Sequence, residues 1–417
     1  MIRKIKILGL FLLFYWTANA QRINELLDLA VAHNPKLQAV RLRYQAAQKV
    51  AGQVGELPNP QVGLGLPVLR TETRLGAPVV TVSVSQMFPW KGTLKAKEEV
   101  AIAMSKTKYD DIEATRLELE YRIKSAYYRL FLLDRQQALL RENWKLNQSL
   151  EQVALGRVES GKAAASDVLR IQIKAKKLEK QIEILDVQKQ QFQAQIVEAV
   201  GDDVLTDNRV QIISSELEVL PDLSQELLAE TMASIRGNYP LLKKLDAKMR
   251  ASQAVRQLNE LKGKPSFGVG LNYSLVQKRS DANPLHNGRD ILIPTFRASI
   301  PIFRKQYKAK QQEEALKQKS LEADRQALEL KINTSLTNYW VAFQQARLEM
   351  ELADEQSQLS QSAFDMLLSW YSAKGTRFDE LLKLKDDLFE YKLKKETALV
   401  NLFLAQAGIE RFGIIQN

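Results

Sequence analysis

The sequence predicts a mainly α-helical protein with a transmembrane β part, built as two tandem repeats of helix–strand–strand–long helix–helix. Three observations carry this. Motifs of the first half return in the same order 205 to 215 residues later. Each half holds two stretches in which apolar residues alternate with small or polar ones. Each half then runs for sixty-odd residues without proline and with at most one glycine. A helix of that length rises roughly 100 Å, more than a small globular core could cover.

The chain opens with an export signal over residues 1–20. Arg3, Lys4 and Lys6 form a basic start, Ile7 to Trp16 an apolar stretch, and Ala18-Asn19-Ala20 a small-residue cleavage site, so the mature chain begins at Gln21. There is no cysteine, so an exported chain of this kind is held by packing, pairing or oligomerisation. No other segment approaches eighteen apolar residues; residence in a membrane therefore requires a barrel. Formal charge is +11, or +8 without the signal's three basic residues, and it is spread along helical segments as a solvated face. No basic stripe with stacking aromatics is present, which argues against nucleic acid as a partner.

The first repeat covers residues 21–200 and the second 231–417. Asn34-Pro35-Lys36-Leu37 is answered by Tyr239-Pro240-Leu241-Leu242, and Pro60 to Leu66 by Pro265 to Leu271. Val84 to Phe88 matches Ser299 to Phe303 in its tail, and Ser166 to Leu169 matches Asp379 to Leu382. Pro35 and Pro240 suit the first turn of a helix, where a missing N–H is harmless. Those helices run to about Glu56 and Leu261, where Pro58, Pro60, Gly263 and Pro265 stop them. Strands follow at about 60–69 and 78–88, and at about 265–276 and 290–303. Val62, Leu64 and Leu66 oppose Gln61, Gly63 and Gly65; Val80, Val82 and Val84 oppose Thr81, Ser83 and Ser85. Phe267, Val269, Leu271 and Tyr273 oppose Ser266, Gly268, Gly270 and Asn272, while Phe296, Ala298, Ile300 and Ile302 oppose Arg297 and Ser299. One apolar and one small or polar face suits a barrel strand between lipid and water, or a soluble sandwich with its apolar face inward.

Long helical hairpins complete each repeat, at about 92–200 and 306–411. Leu119, Ile123, Ala126, Leu130 and Leu133 alternate in steps of three and four, as do Leu336, Tyr339, Phe343, Ala346, Met350 and Ala353. Leu178, Ile182, Leu185, Phe192 and Ile196 continue the pattern on a return helix. This is heptad packing with wide polar faces. Between the repeats, residues 201–230 carry eight acidic residues against Arg209 and read as a connector strapped around the helices.

Four strands cannot close a membrane barrel, and an open edge in lipid leaves backbone groups unpaired. Two or three chains must therefore share one barrel. The duplication, the element order, the stretch Val84-Ser85-Gln86-Met87-Phe88-Pro89-Trp90-Lys91-Gly92 and the turns Gly161 to Leu169 and Tyr371 to Leu382 resemble the TolC outer-membrane factor family over the whole mature chain. The resemblance implies a homotrimer with a twelve-strand β-barrel in the outer membrane, continued by an α-helical barrel in the periplasm. It implies docking to a periplasmic adaptor protein and an inner-membrane resistance-nodulation-division pump. Gln86 to Gly92 is similar to members that serve heavy-metal pumps. The alternatives are a periplasmic adaptor or a coiled-coil scaffold, but neither uses a whole-chain duplication with paired strands.

A duct needs a closable end and a lining, not a catalytic group. The family's periplasmic tip positions fall on Asp167, Tyr371, Asp379 and Glu380, and acidic rings there favour cations. The resemblance implies a hydrogen bond between Tyr371 and Asp167 across neighbouring hairpins; Asp167 and Asp379 equally suit simple helix capping. The second tip departs from the family pattern, with Lys374 at a usual glycine and Lys383 at a usual acid. Trp90, Lys91, Lys95, Arg304 and Lys305 lie where strand becomes helix. They suit the lipid headgroup level of the membrane, or for the cations a solvated helix start. His33 and His286 are 253 residues apart and no cysteine is present, so no metal site or cofactor is expected.

Overall fold

The computed structural model describes residues 23–69, 71–162, 164–207, 217, 225–374 and 378–413. The export signal, most of the 201–230 connector and the middle of the second tip turn, residues 375–377, lie outside the described residues. The chain divides into two compact units: Ala39–Ile112 with Pro240–Glu329, and Met1–Gln38 with Glu113–Tyr239 and Leu330–Asn417.

The first unit holds the sheet. Its strands are β1 (Gln61–Gly65), β2 (Ala77–Phe88), β3 (Ser266–Gln277) and β4 (Ile291–Ser299). All pair antiparallel in the order β1-β2-β3-β4, so the central pair, β2 with β3, joins one repeat to the other. Two strands are shorter than the alternation suggests. β1 ends at Gly65, not near 69, because Pro67 has no N–H for the ladder and restricts Leu66 before it. β4 ends at Ser299, not 303, because Pro301 interrupts it. Phe303 therefore follows the strand, whereas Phe88 lies within β2 opposite Phe267. Pro294 lies inside β4, tolerable in an edge strand.

The second unit holds the helix tips. Helix α1 (Ile23–His33) gives way to α2 (Pro35–Val54) at Asn34, which caps α2: its Oδ1 accepts from Leu37 N–H at 3.0 Å. Its Nδ2 donates to the Ala199 carbonyl at 2.7 Å, tying this joint to the end of a later helix. Helix α3 (Thr93–Glu159) passes from the sheet unit into this one and is followed by α4 (Ala165–Val200), closed by Gly201 at φ 104°. After the short α5 (Asp202–Asp207) comes α6 (Gln225–Asn238), which starts inside the stretch expected to be connector. Helix α7 (Pro240–Lys262) returns to the sheet unit with Pro240 in its first turn. Helix α8 (Lys305–Lys374) again crosses between units, and α9 (Phe378–Glu410) ends the chain. Leu119, Ile123, Ala126, Leu130 and Leu133 are all buried, as are Leu336, Phe343, Ala346 and Ala353, while Tyr339 and Met350 are half-buried. Among the described residues no helix is long and apolar enough to cross a membrane.

Candidate functional sites in the sheet and at the helix tips

Strand register turns the alternation into rows across the sheet. Leu64, Val82, Tyr273 and Leu292 form one row, and Val62, Val84, Leu271 and Pro294 the next but one. The apolar rows are exposed: Val62 by 73 % and Phe296 by 84 %. An apolar surface left open on a sheet is an interaction face, and here it is continuous over four strands. The intervening rows are small and polar apart from Met87, Ile291 and Ile293, and on β2 and β3 they are the more enclosed side, where Thr81 and Ser274 hydroxyls share a hydrogen bond of 2.8 Å. Glycine is required there: a Cβ on Gly270 would stand 2.7 Å from Thr295 Oγ1 and 2.9 Å from the Val84 carbonyl. Polar-in and apolar-out is the reverse of a soluble sandwich, so the structure favours the first of the two sequence readings.

Trp90 is part-exposed, its ring 6.2 Å from that of Phe267. Lys91, Lys95, Arg304 and Lys305 are all exposed; Lys95 has only Glu99 in reach, at 4.0 Å. Ile302 and Phe303, freed from the strand by Pro301, stand exposed beside Arg304. An apolar and aromatic rim next to cations is the composition of a membrane–water boundary.

The α3–α4 and α8–α9 turns meet in one apolar cluster of Leu150, Ile171, Phe364, Phe378 and Leu381 around Tyr371. Tyr371 is fully buried, with its ring 5.1 Å from Phe378. Among the described residues its hydroxyl has no hydrogen-bond partner. The hydrogen bond expected to Asp167 is therefore not made within the chain: the ring is drawn into the apolar seam, and Asp167 acts only through its charge. Burial first, then that charge, pushes the phenol pKa up, with Arg157 opposing. Of the two aspartates, Asp167 is not the cap of its helix. They lie in the first turns of α4 and α9, and the cap position before α4 is Ala164, which makes no side-chain bond. Carboxylates there still complement the helix dipole. Asp379 instead pairs with Arg170 at 2.6 Å, and Asp386 with Lys174 at 2.5 Å, so two exposed ion pairs lace α4 to α9. Glu380 and Lys383 are exposed.

Sequence reasoning missed Arg157. Its Nη1 donates to the carbonyls of Tyr371 and Ser372 at 2.9 and 3.0 Å, and its guanidinium lies 5.3 Å over the Tyr371 ring. It also missed a second set of apolar positions on the tip helices. Leu169, Ile173, Ile184 and Val187 are exposed on α4, and Val341, Leu348, Leu352, Leu359 and Met366 on α8. Their spacings of three, four, seven and eleven residues make a second heptad seam, which was available in the sequence.

Residues 26–202 match the family model described as outer membrane efflux protein. No curated protein sequence matches the chain at a significant level. Among solved structures the chain is similar to a membrane protein from Pseudomonas aeruginosa, with 16% identity, 94% of this chain and 93% of that one covered, and a TM-score of 0.75. It is similar to the outer membrane protein VceC of Vibrio cholerae at 14% identity, covering 94% and 96%, with a TM-score of 0.72. It is also similar to the CmeC outer membrane channel of Campylobacter jejuni at 12% identity, covering 94% and 85%, with a TM-score of 0.71. At these identities the likeness establishes a shared fold.

Proposed function

We infer that this chain is an outer-membrane efflux protein, the passive exit duct of a three-part efflux assembly; the family match over residues 26–202 and the shared fold support the reading. The observation that carries the reading is the sheet: four antiparallel strands, one face apolar and exposed, and two unpaired edges. In lipid those edges are too costly to leave open, so β4 of one copy pairs with β1 of the next until the ring closes. Two copies would give eight strands, whose interior is filled by side chains; three give twelve and leave a passage. The exposed seams on α4 and α8 supply the matching contacts between neighbouring copies in the helical part, which stands in the periplasm.

Asp167, Tyr371, Asp379 and Glu380 then mark the closable periplasmic end, with the Tyr371 cluster as its packing and the acids as a cation-attracting rim. Trp90, Lys91, Lys95, Arg304 and Lys305 hold the barrel at the periplasmic lipid surface. The energy source and the choice of substrate belong to a pump of the resistance-nodulation-division class and its adaptor. The likeness of Gln86 to Gly92 to channels of heavy-metal pumps makes metal tolerance the first phenotype to measure.

The test is single-channel recording of the purified protein in planar bilayers. The reading expects discrete ion-conducting steps that widen when Tyr371 and Asp167 are replaced together, Tyr371→Phe with Asp167→Ala. A wild-type protein that stays in the soluble periplasmic fraction and conducts nothing would overturn it. Conduction with an unchanged double variant would remove the tip gate alone.

A further inference from the structure

A cavity of about 440 Å³ opens between α3, α8 and α9, beside the tip cluster. Leu146, Phe364, Leu368, Leu388 and Phe389 line it together with polar and charged side chains, Glu142, Lys145, Asp365 and Lys392 among them, and the buried Asn143 and Lys385 also face it. A lysine in a helix seam is costly, and this one is only 2 % exposed. Its Nζ donates to Asn147 Oδ1 at 2.6 Å and lies 3.7 Å from Asp386. Asp386 is already held by Lys174 at 2.5 Å, so two cations share one carboxylate and a positive charge is left over. Around it, polar atoms are unspent: Asn147 Nδ2 and Asn143 Oδ1 are buried with no hydrogen-bond partner. Each such orphan costs about 1–3 kcal/mol unless something fills it.

We propose that this cavity binds a small organic anion, a carboxylate with a short apolar tail. The carboxylate takes its hydrogen bond from Lys385 Nζ, which the Asn147 amide oxygen, outside the lining, holds in place, and the tail lies along Phe364, Leu388 and Phe389. Asn143 Oδ1 accepts from a hydroxyl on the tail where one is present. Glu142 stands 3.5 Å from Lys392, and the two lining carboxylates, Glu142 and Asp365, are outnumbered by Lys145, Lys385 and Lys392. A volume in the range of small-molecule pockets suits a compact aromatic or branched acid better than an inorganic ion. Leu146, Phe364 and Leu368 also pack in the Tyr371 cluster, so an occupied cavity braces the tip. The site stands on its own chemistry, whether or not the chain conducts.

Burial lowers the Lys385 ammonium to about 8, with Asp386 opposing and Lys174 adding to the fall. The anion needs the charged form, so binding weakens as pH rises through that value. The experiment uses the full chain in nanodiscs with 4-fluorophenylacetate as probe, its dissociation constant read by ¹⁹F NMR at pH 7 and pH 9.5. 4-Fluorobenzylamine and 4-fluorobenzyl alcohol serve as cationic and neutral controls. The acid is expected to bind, the controls to bind at least tenfold more weakly, and the acid's affinity to fall at least fivefold at the higher pH. Lys385→Met removes both the affinity and its pH dependence, while Asn147→Leu weakens binding and keeps the pH dependence. Equal binding of the three probes, or no binding of the acid, means a hydrated cavity only and overturns the proposal. Should Lys385→Met fail to fold, the pH series and Asn147→Leu decide alone.

Discussion

Arg157 satisfies two carbonyls at the end of α8, where the last turn has no helical partners of its own, and covers the Tyr371 ring with the same guanidinium. Arg157→Leu is expected to destabilise the protein by about 1.5–3 kcal/mol, the worth of hydrogen bonds from a charged group. It should also raise the conductance of the resting channel; thermal melting and bilayer recording check the pair. Lys385 gives a pH prediction whose sign is fixed. Its pKa is depressed in the folded state to about 8, so the unfolded chain holds the proton more tightly, and stability rises with pH between about 8 and the ordinary lysine value. The melting temperature of the wild type relative to Lys385→Met should therefore climb over that window and stay flat below it. Tyr371 and Asp167 were legible as tip residues through a family resemblance. Arg157 was not, because a cation in the last turn of a helix already has a reason to be there, and its partner is 214 residues away.

The elements follow from periodicity, and their ends follow from proline. Alternation over Pro60 to Leu66 and Arg297 to Ile302 says strand, but a proline without an N–H ends the ladder earlier than the pattern does. Gly268 and Gly270 of β3 fall on the small, polar side of the alternation, and Gly270 shows why a small residue is needed there. Gly270→Val drives a side chain into Thr295 and the Val84 carbonyl and should cost about 1–3 kcal/mol. Gly65→Ala, with its nearest neighbour at 3.8 Å, should cost far less. Resistance of the assembled protein to heat in detergent separates the two. On the helices, one heptad seam was legible, and its residues are buried or, like Tyr339, Met350, Ile182, Leu185 and Phe192, half-buried. The second, on α4 and α8, was hidden because sequence marks apolar positions without telling which of them a chain covers by itself. Ile173→Glu with Leu359→Glu is expected to leave helix content unchanged by circular dichroism and to release monomers in sizing experiments. Intact oligomers would show that these seams face something else.

At the scale of the whole molecule, duplication and incompleteness go together. Each repeat supplies two strands, and the β2–β3 pair, with Val84 opposite Leu271, makes one sheet of them. The sheet is still open at β1 and β4, and its exposed apolar rows have no cover in the chain that carries them. That incompleteness was legible from strand count alone. The number of copies was not, because eight and twelve strands both close, and only the need for a passage separates them. The direct measurement is native mass spectrometry of the protein extracted from the outer membrane in mild detergent. The account predicts an assembly of three times the mature chain mass. A monomer or a dimer as the sole species would contradict it.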